Sequence, residues 1–160
     1  MTQQPTDTVF HKIVRGEVPC HTVWEDDDHL AFLSIFPNTP GVTVVIPKTW
    51  QPSNFAHVKP AALCALMRAA QTVARLIEKN LPTVGRVGLI FEGFGVDYLH
   101  AKLFPMHGTG DMTQWTPIES ARTEEVYTQY PGFLSSHDAA RVDDETLAAI
   151  AAQIRGESDN

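Results

Sequence analysis

Cysteine and basic residues are scarce in this 160-residue chain, and it has no long apolar run. Cys20 and Cys64 are its only cysteines, which is typical of a reduced cytoplasmic protein rather than of a disulfide scaffold. Only 12 Lys and Arg residues stand against 19 Asp and Glu residues, and the net charge is -7. A polymeric nucleic acid is therefore not an expected partner, because phosphate neutralisation needs a dense basic face. A mononucleotide needs only a few hydrogen-bond donors at one place, so this class of ligand stays open.

Membrane segments are also absent from the sequence pattern. No apolar stretch approaches the roughly 18 residues of a membrane span. The first five residues lack the basic and apolar regions that begin a secretory signal. We therefore expect a cytoplasmic protein with no membrane partner. Hydrophobic residues make up 43% of the chain, which is enough to bury the core of one domain.

Two helices are predicted by apolar residues that recur every three to four positions. A short N-terminal helix should begin after Thr6-Asp7-Thr8, which can cap it, and should end near Gly16. The long helix should span Pro60 to Asn80, with the proline in its first turn. Cys64 lies inside the long helix, and we interpret it as a small packing residue rather than a reactive thiol.

Five β-rich runs are separated by turn residues such as Pro37-Asn38-Thr39-Pro40. The second and third runs should form an antiparallel hairpin. From Gly108 the pattern is irregular until a helix predicted from Asp143 to Arg155. We expect this C-terminal extension to fold back onto a single domain of residues 1–160, whose core spans residues 8–107. The five runs are Thr22 to Glu25, His29 to Phe36, Gly41 to Lys48, Arg86 to Glu92, and Tyr98 to Pro105.

The fifth run carries the most informative polar residues. Alternation along a strand would place Tyr98, His100 and Lys102 on one face, with successive residues about 7 Å apart. Leu99, Ala101 and Leu103 would lie on the core face. An imidazole can attack phosphorus, and a neighbouring ammonium can stabilise the charge that builds on phosphate oxygens. The alternative is that this polar strand face simply contacts water.

Several blocks of the sequence together resemble the histidine-triad (HIT) family. They are VFHKIVRGEVP at residues 9–19, LAFLSIFPNTPGVTVVIPK at residues 30–48, and the long helix followed by two strands. The resemblance covers residues 8–107. It implies an α+β fold with a five-stranded antiparallel sheet, a homodimer, and the binding of nucleoside phosphates whose nucleotidyl group is hydrolysed or transferred.

The family signature is His-x-His-x-His, and its three positions align with Tyr98, His100 and Lys102. By this resemblance His100 is the nucleophile that attacks the α-phosphorus and forms a covalent intermediate. Lys102 would donate to a phosphate or leaving-group oxygen, and Tyr98 would be a phenol donor. No cofactor is implied. No metal is expected either, because His11, His21, His29, His57 and His137 lack the paired spacing of metal ligands.

The resemblance also implies a nucleotide-binding set. Phe10, Ile13, Phe32 and Ile35 fall where the family holds the base, although simple packing would explain them as well. Phe32 and Ile35 have opposite parity in a strand, so at least one must point to the core. Ser34 stands where the family often has an acidic ribose contact. The loop with Glu92, Gly93 and Gly95 could cradle phosphate with its backbone amides.

Three functions stay open from the sequence. The first is a HIT-type nucleotide hydrolase or transferase that works through His100. The second is a non-catalytic nucleotide-binding or protein-interaction module with the same fold. The third is an enzyme in which Lys102 and Glu92 suit a different phosphorylated ligand. His107, just after the predicted strand, could swing toward the site or cap a loop.

Overall fold

The computed structural model describes residues 7–110, 126–135, 140–147 and 150. The chain divides into two compact units, Met1–Trp115 and Thr116–Asn160, which are described separately. The elements of the first unit are α1 (Val9–Val14), β1 (Thr22–Glu25), β2 (His29–Leu33), β3 (Thr43–Pro47), a 3-10 turn (Phe55–His57), α2 (Pro60–Asn80), β4 (Val84–Ile90) and β5 (Ala101–His107).

The five strands form one sheet in the order β1-β2-β3-β5-β4, and every neighbouring pair is antiparallel. This confirms the predicted α+β fold and the hairpin between β2 and β3. Leu30 of β2 lies opposite Ile46 of β3, and Phe32 lies opposite Val44. Both strands are buried on both faces, which explains why their sequences are nearly continuous apolar runs.

One face of the sheet is covered by α2, which has the predicted bounds. We call this buried cluster the α2 core. It joins one stripe of the helix to the predicted core face of β5 and to small residues of β2 and β3. Its central members are Ala31, Val45, Leu66, Ala70, Val73, Ile77, Leu99, Ala101 and Leu103. The prediction that Leu99, Ala101 and Leu103 face the core is therefore confirmed.

The prediction for Cys64 was wrong, because this thiol is exposed. Leu66, in the middle of the buried stripe, is fully buried. Two residues along an α-helix correspond to a rotation of about 200°, so Cys64 points to the opposite side of α2 from Leu66. Both cysteines are free, Cys20 being half-buried.

The other face of the sheet carries a second cluster, which we call the α1 core. It consists of Phe10, Leu30, Phe32, Val44, Ile46 and Tyr98. Thr8 caps α1, as predicted, and its side chain and the His11 side chain form a reciprocal capping box. The helix ends at Val14, and Gly16 follows shortly after it with a φ of 74°, a left-handed conformation that favours glycine.

The fifth strand is shorter than predicted. β5 begins at Ala101, and residues 98–100 do not belong to it. The Leu99 amide donates to the Gln51 carbonyl, in the segment after β3, and the Tyr98 amide donates to the Val96 carbonyl. The prediction that Tyr98 to His100 belong to this strand was therefore wrong. Tyr98 and the His100 ring still contact Phe10, on the sheet face opposite Leu99, as the alternation predicted, but both side chains are buried. The second and fourth strands also differ, because β2 ends at Leu33 and β4 spans Val84–Ile90.

The second unit is described at residues 126–135, 140–147 and 150. The rings of Tyr127 and Phe133 meet edge to face at 5.5 Å. Residues 144–147 and 150 are helical, within the predicted helix, and Asp143 accepts from the Thr146 amide at 2.8 Å. Asp143 itself precedes the helical residues, and the other positions of that predicted helix lie outside the described residues. The folding of the extension onto a single domain stays a prediction. Within the described ranges, no helix is both long and apolar enough to cross a membrane.

Candidate functional site

His100 lies immediately before β5 and is 3% exposed. Its Nδ1 is 2.6 Å from the Tyr98 carbonyl oxygen. A carbonyl can only accept a hydrogen bond, so Nδ1 carries the proton and donates it. The neutral imidazole therefore has its lone pair on Nε2, which is the atom that a nucleophile needs.

The Nε2 atom of His100 keeps contact with solvent although the ring is buried. Within the described part of the chain, every fully buried side-chain nitrogen or oxygen has a hydrogen-bond partner. His100 makes its hydrogen bond through Nδ1. Nε2 must therefore be reachable from outside, while the rest of the imidazole is enclosed by protein.

Phe10 of α1 forms part of that enclosure. Its ring meets the His100 ring edge to face with a centroid distance of 5.4 Å. Burial is the main cause that lowers the pKa of His100, and the nearby Lys102 ammonium lowers it further. The hydrogen bond to Tyr98 and the Glu92 carboxylate act in the opposite direction but do not cancel the effect. The neutral, nucleophilic form of His100 is thus favoured at neutral pH.

Tyr98 is anchored at both ends. Its phenol donates to the Pro47 carbonyl at 2.7 Å and lies 3.1 Å from the Lys48 carbonyl. Burial raises the pKa of this phenol to about 12, so it stays protonated and can keep donating. At the other end, the Tyr98 carbonyl accepts from His100. The phenol donor predicted at this position is thus directed at the main chain at the end of β3.

Lys102 is paired with Glu92. The ammonium and the carboxylate are 3.0 Å apart, and their side chains are 32% and 16% exposed, respectively. Lys102 lies opposite Val44 of β3 and Ile90 of β4, which places it on the sheet face of the α1 core. Both charges act on the pKa of His100, so the ion pair belongs to the same site. Spacing within one strand could not reveal the pairing, because Glu92 lies in the loop between β4 and β5.

The loop of residues 91–97 is held against the segment after β3. The Ser53 amide donates to the Asp97 carboxylate, and Trp50 Nε1 donates to the Asp97 carbonyl. Gly93 has a φ of 70°, and a Cβ there would lie 2.9 Å from the Ser53 carbonyl oxygen. Gly95 has a φ of 84° but open space around it. Only glycine fits at residue 93, for both conformational and steric reasons.

The predicted base-binding residues are only partly brought together. Phe10 and Phe32 are buried with ring centroids 5.6 Å apart, and Ile13 packs against the same cluster. Ile35 lies beyond β2 and is 72% exposed. The Ser34 hydroxyl accepts from the Phe36 amide at 3.3 Å within the following turn. Phe32 is therefore the one of the opposite-parity pair that points to the core.

Two further histidines have defined places. His11, to which the sequence assigned no role, contacts the Tyr98 ring at 4.9 Å and completes the capping box with Thr8. The pattern Thr8-x-x-His11 resembles a capping box with histidine in the third helical position. This pattern could have identified the capping role of His11 from the sequence. His107 bonds to Thr83 and to the Pro40 carbonyl, which supports the loop-capping interpretation. Across the described ranges, no group of three or more His, Cys, Asp or Glu residues could hold a metal ion.

Comparisons with known proteins agree with the fold. The family model described as "HIT domain" matches residues 15–126. An uncharacterised HIT-like protein of Methanocaldococcus jannaschii is 27% identical over 129 residues, which cover 78% of this chain and 98% of that protein. Adenylylsulfatase HINT3 of Arabidopsis thaliana is 34% identical over 73 residues, covering 46% of this chain and 36% of that protein. A solved Streptococcus mutans structure has a TM-score of 0.67 and 26% identity, and the match covers 99% of this chain and 90% of that one.

Proposed function

Since the chain belongs to the HIT domain family, we propose that it is a nucleotide hydrolase or nucleotidyl transferase that acts on the α-phosphorus of a nucleoside phosphate derivative. The observation that carries the proposal is the orientation of His100. Its Nδ1 donates to the Tyr98 carbonyl, and its Nε2 keeps a lone pair with access to solvent. The Arabidopsis relative is named for a hydrolytic activity, which supports this class of reaction.

The reaction proceeds in two displacements. In the first, Nε2 of His100 forms a bond to the α-phosphorus while the bond from phosphorus to the leaving group breaks. The leaving group keeps the electron pair and takes a proton from solvent. In the second, water attacks phosphorus, the bond to Nε2 breaks, and the proton of the attacking water goes to solvent. The Lys102 ammonium stabilises the negative charge that builds on the phosphate oxygens.

The same face of the sheet supplies the binding residues. Phe10, Ile13 and Phe32 would contact the base, with Phe10 also enclosing the imidazole. The backbone amides of the loop with Glu92, Gly93 and Gly95 would hold phosphate oxygens. Tyr98 would act as a positioning residue, because its carbonyl sets the His100 tautomer and its phenol anchors that carbonyl. Ser34 and Ile35, on the segment after β2, would contact the nucleotide at the rim of the site.

The assembly and location follow from the same proposal. The relationship to the HIT family favours a homodimer, which light scattering can distinguish from a monomer. The two free cysteines are compatible with the reducing cytoplasm. No cofactor is required for the two displacements, because histidine supplies the nucleophile and water completes the reaction.

Chemical trapping tests the covalent step. The protein is mixed with a nucleoside phosphoramidate or a dinucleoside polyphosphate labelled at the α-phosphate, and the reaction is quenched. We expect an acid-labile nucleotidyl adduct on the wild-type protein. His100→Gln should form none, while its thermal unfolding should show a folded protein.

A second buried histidine provides the matched control. His29, on β2, is 7% exposed and contacts Asp26 rather than the site. His29→Gln should therefore still form the adduct. An adduct that persists in His100→Gln, or no adduct on the wild-type protein with either substrate, would contradict the catalytic proposal.

The non-catalytic binding module is the second candidate. It is favoured by the engagement of both residues that flank His100, with Tyr98 donating to the main chain and Lys102 paired with Glu92. In that case thermal stabilisation by a nucleoside monophosphate should survive His100→Gln and weaken in Phe32→Ala. The absence of stabilisation with a full panel of nucleoside monophosphates would argue against nucleotide binding altogether.

A further inference from the structure

The carbonyl that accepts the His100 proton belongs to a peptide unit that is also held from its other side. His100 Nδ1 donates to the Tyr98 carbonyl at 2.6 Å. The amide of the same peptide unit, on Leu99, donates to the Gln51 carbonyl at 2.9 Å. A trans peptide unit is planar, and its N–H and C=O point in opposite directions. The two hydrogen bonds therefore fix the direction of the carbonyl relative to the segment after β3.

The preceding peptide unit, between Asp97 and Tyr98, is held in the same way. Its carbonyl oxygen accepts from Trp50 Nε1 at 2.9 Å, and its amide donates to the Val96 carbonyl at 2.8 Å. This second bond joins residues two positions apart, so it closes a tight turn centred on Asp97. Val96 and Gln51 contribute main-chain groups to these two peptide units, whereas Trp50 contributes a side chain. A substitution at residue 50 can therefore remove one of the bonds and leave the main chain unchanged.

We propose that Trp50 is a positioning residue for His100, because its indole fixes the peptide unit before Tyr98 and thereby the carbonyl that selects the Nδ1–H tautomer. This inference rests on the proposed role of His100 as the nucleophile and adds a residue that acts on the imidazole through the main chain. The two peptide units meet at the Cα atom of Tyr98, so only two dihedral angles separate the indole bond from the carbonyl. Trp50 is half-buried against the α1 core, which restricts its ring.

The Asp97 side chain provides a second hold on the same peptide unit. Its carboxylate accepts from the Ser53 amide at 3.2 Å, so Asp97 is joined to residues 50–53 through its side chain as well as its carbonyl. Removal of either bond should loosen the Tyr98 carbonyl while the His100 side chain stays intact. A less firmly held imidazole also populates the other tautomer, in which Nε2 carries the proton and has no lone pair for attack.

Nitrogen NMR of the imidazole in the ligand-free protein tests the proposal without turnover. The chemical shifts of Nδ1 and Nε2 depend on which atom carries the proton, and the His100 resonances are assigned with His100→Gln. At about pH 8, where the imidazole is neutral, we expect the Nδ1–H tautomer in the wild-type protein. Trp50→Phe keeps an aromatic ring but lacks the donor, and Asp97→Ala lacks the carboxylate. Each should raise the ratio of the Nε2–H form to the Nδ1–H form roughly five-fold, the equivalent of one hydrogen bond.

The rate of adduct formation with the labelled phosphoramidate gives a second readout. In Trp50→Phe and Asp97→Ala the maximal rate should fall roughly five-fold. The substrate concentration at half of that rate should change by less than about two-fold, because the variants disturb the nucleophile rather than the contacts to the ligand. Asp97→Asn should restore both readouts, since an amide oxygen also accepts from the Ser53 amide. The matched control is Trp24→Phe, at a half-buried tryptophan that packs against the α2 core, and it should change neither readout.

The outcomes separate this proposal from the catalytic one. An unchanged tautomer ratio in Trp50→Phe would overturn the positioning role of the indole even if the wild-type protein forms the adduct. A changed ratio with an unchanged maximal rate would overturn it as well, because the orientation would then not affect the reaction. Asp97→Asn that behaves like Asp97→Ala would overturn the hydrogen bond to Ser53 as the second hold. The expected tautomer ratios in a protein that forms no adduct would support the positioning and overturn the covalent mechanism.

Thermal unfolding verifies that each variant is folded. Asp97 is exposed, so its variants test the same peptide unit without a change in the α1 core. Should Trp50→Phe unfold, a tautomer ratio that is unchanged in Asp97→Ala would overturn the proposal, and the expected five-fold change, reversed in Asp97→Asn, would support it.

Discussion

Replacing Phe10 by alanine should both destabilise the protein and raise the pKa of His100. Phe10 is 9% exposed and contacts the rings of Phe32, Tyr98 and His100 at centroid distances of 5.6, 5.9 and 5.4 Å. The substitution therefore removes the side chain that joins α1 to the sheet and encloses the imidazole. One change should be visible in two independent measurements.

The loss of stability can be estimated from the packing. A buried phenylalanine replaced by alanine costs about 3–5 kcal/mol through lost burial and the remaining cavity. The helix that carries Phe10 has only six residues, so it can shift partly into the space that the ring leaves. We therefore expect a loss near the lower limit, about 3 kcal/mol. Phe36, which is 88% exposed, is the control, and its alanine variant should cost less than about 0.5 kcal/mol.

The pH dependence has a defined sign. Burial lowers the pKa of His100 in the folded protein, so the unfolded chain binds this proton more readily. The contribution of His100 to stability is therefore complete above the unfolded pKa of about 6.5 and is lost as the pH falls below it. In Phe10→Ala, water reaches the ring, the folded pKa rises toward the ordinary value, and the acid-induced loss becomes smaller.

Urea unfolding and proton NMR are the suitable assays. Unfolding curves at about pH 7.5 and 5.5 give the free energy of unfolding and its change with pH for each variant. The imidazole C–H resonance of His100, assigned with His100→Gln, gives the pKa directly. A His100 pKa that is the same with and without Phe10 would refute the enclosure argument. A stability loss no larger than that of Phe36→Ala would refute the packing argument.

Three further predictions concern the same face of the sheet. The rate of adduct formation should be constant near neutral pH and fall only below about pH 6.5, because burial lowers the pKa of His100. A rate that keeps rising up to about pH 8 would show that another titrating group controls the nucleophile. Tyr98→Phe should lower the free energy of unfolding by about 1–2 kcal/mol in urea, since the Pro47 carbonyl loses its donor, and an unchanged midpoint would contradict this. Gly93→Ala should lower the free energy of unfolding by about 2 kcal/mol or more and Gly95→Ala by about 1 kcal/mol, because both residues have a positive φ but only the Cβ at residue 93 would meet a backbone oxygen. Equal melting temperatures of the two variants would argue against this close contact.

The helices and the hairpin between β2 and β3 could be predicted because their signals are local. The stripe of α2 repeats with the helical period over 21 residues, and Thr8 caps α1 through a neighbouring backbone amide. The apolar parity of Leu99, Ala101 and Leu103 likewise predicted one core face correctly. These features depend on residues a few positions apart, so the sequence records them directly.

The site was predictable only in outline. Resemblance and spacing selected His100, Lys102 and Tyr98, and the structure places them at one end of β5. The strand prediction, however, extended over Tyr98 to His100, which do not belong to β5. The Tyr98 phenol and the Leu99 amide donate to the Pro47 and Gln51 carbonyls, which are about fifty positions away in the chain, and Phe10 of α1 contacts the His100 ring. Such contacts leave no periodic trace in the local sequence.

The sequence by itself therefore determined the antiparallel hairpin, the long helix, the family and the identity of the nucleophile candidate, because each depends on a short pattern of residue types. The tertiary structure alone decided that His100 is buried beneath Phe10, that its lone pair is on Nε2, and that Lys102 is paired with Glu92. These properties depend on the distance and orientation between groups from separate elements, and only the folded chain sets both.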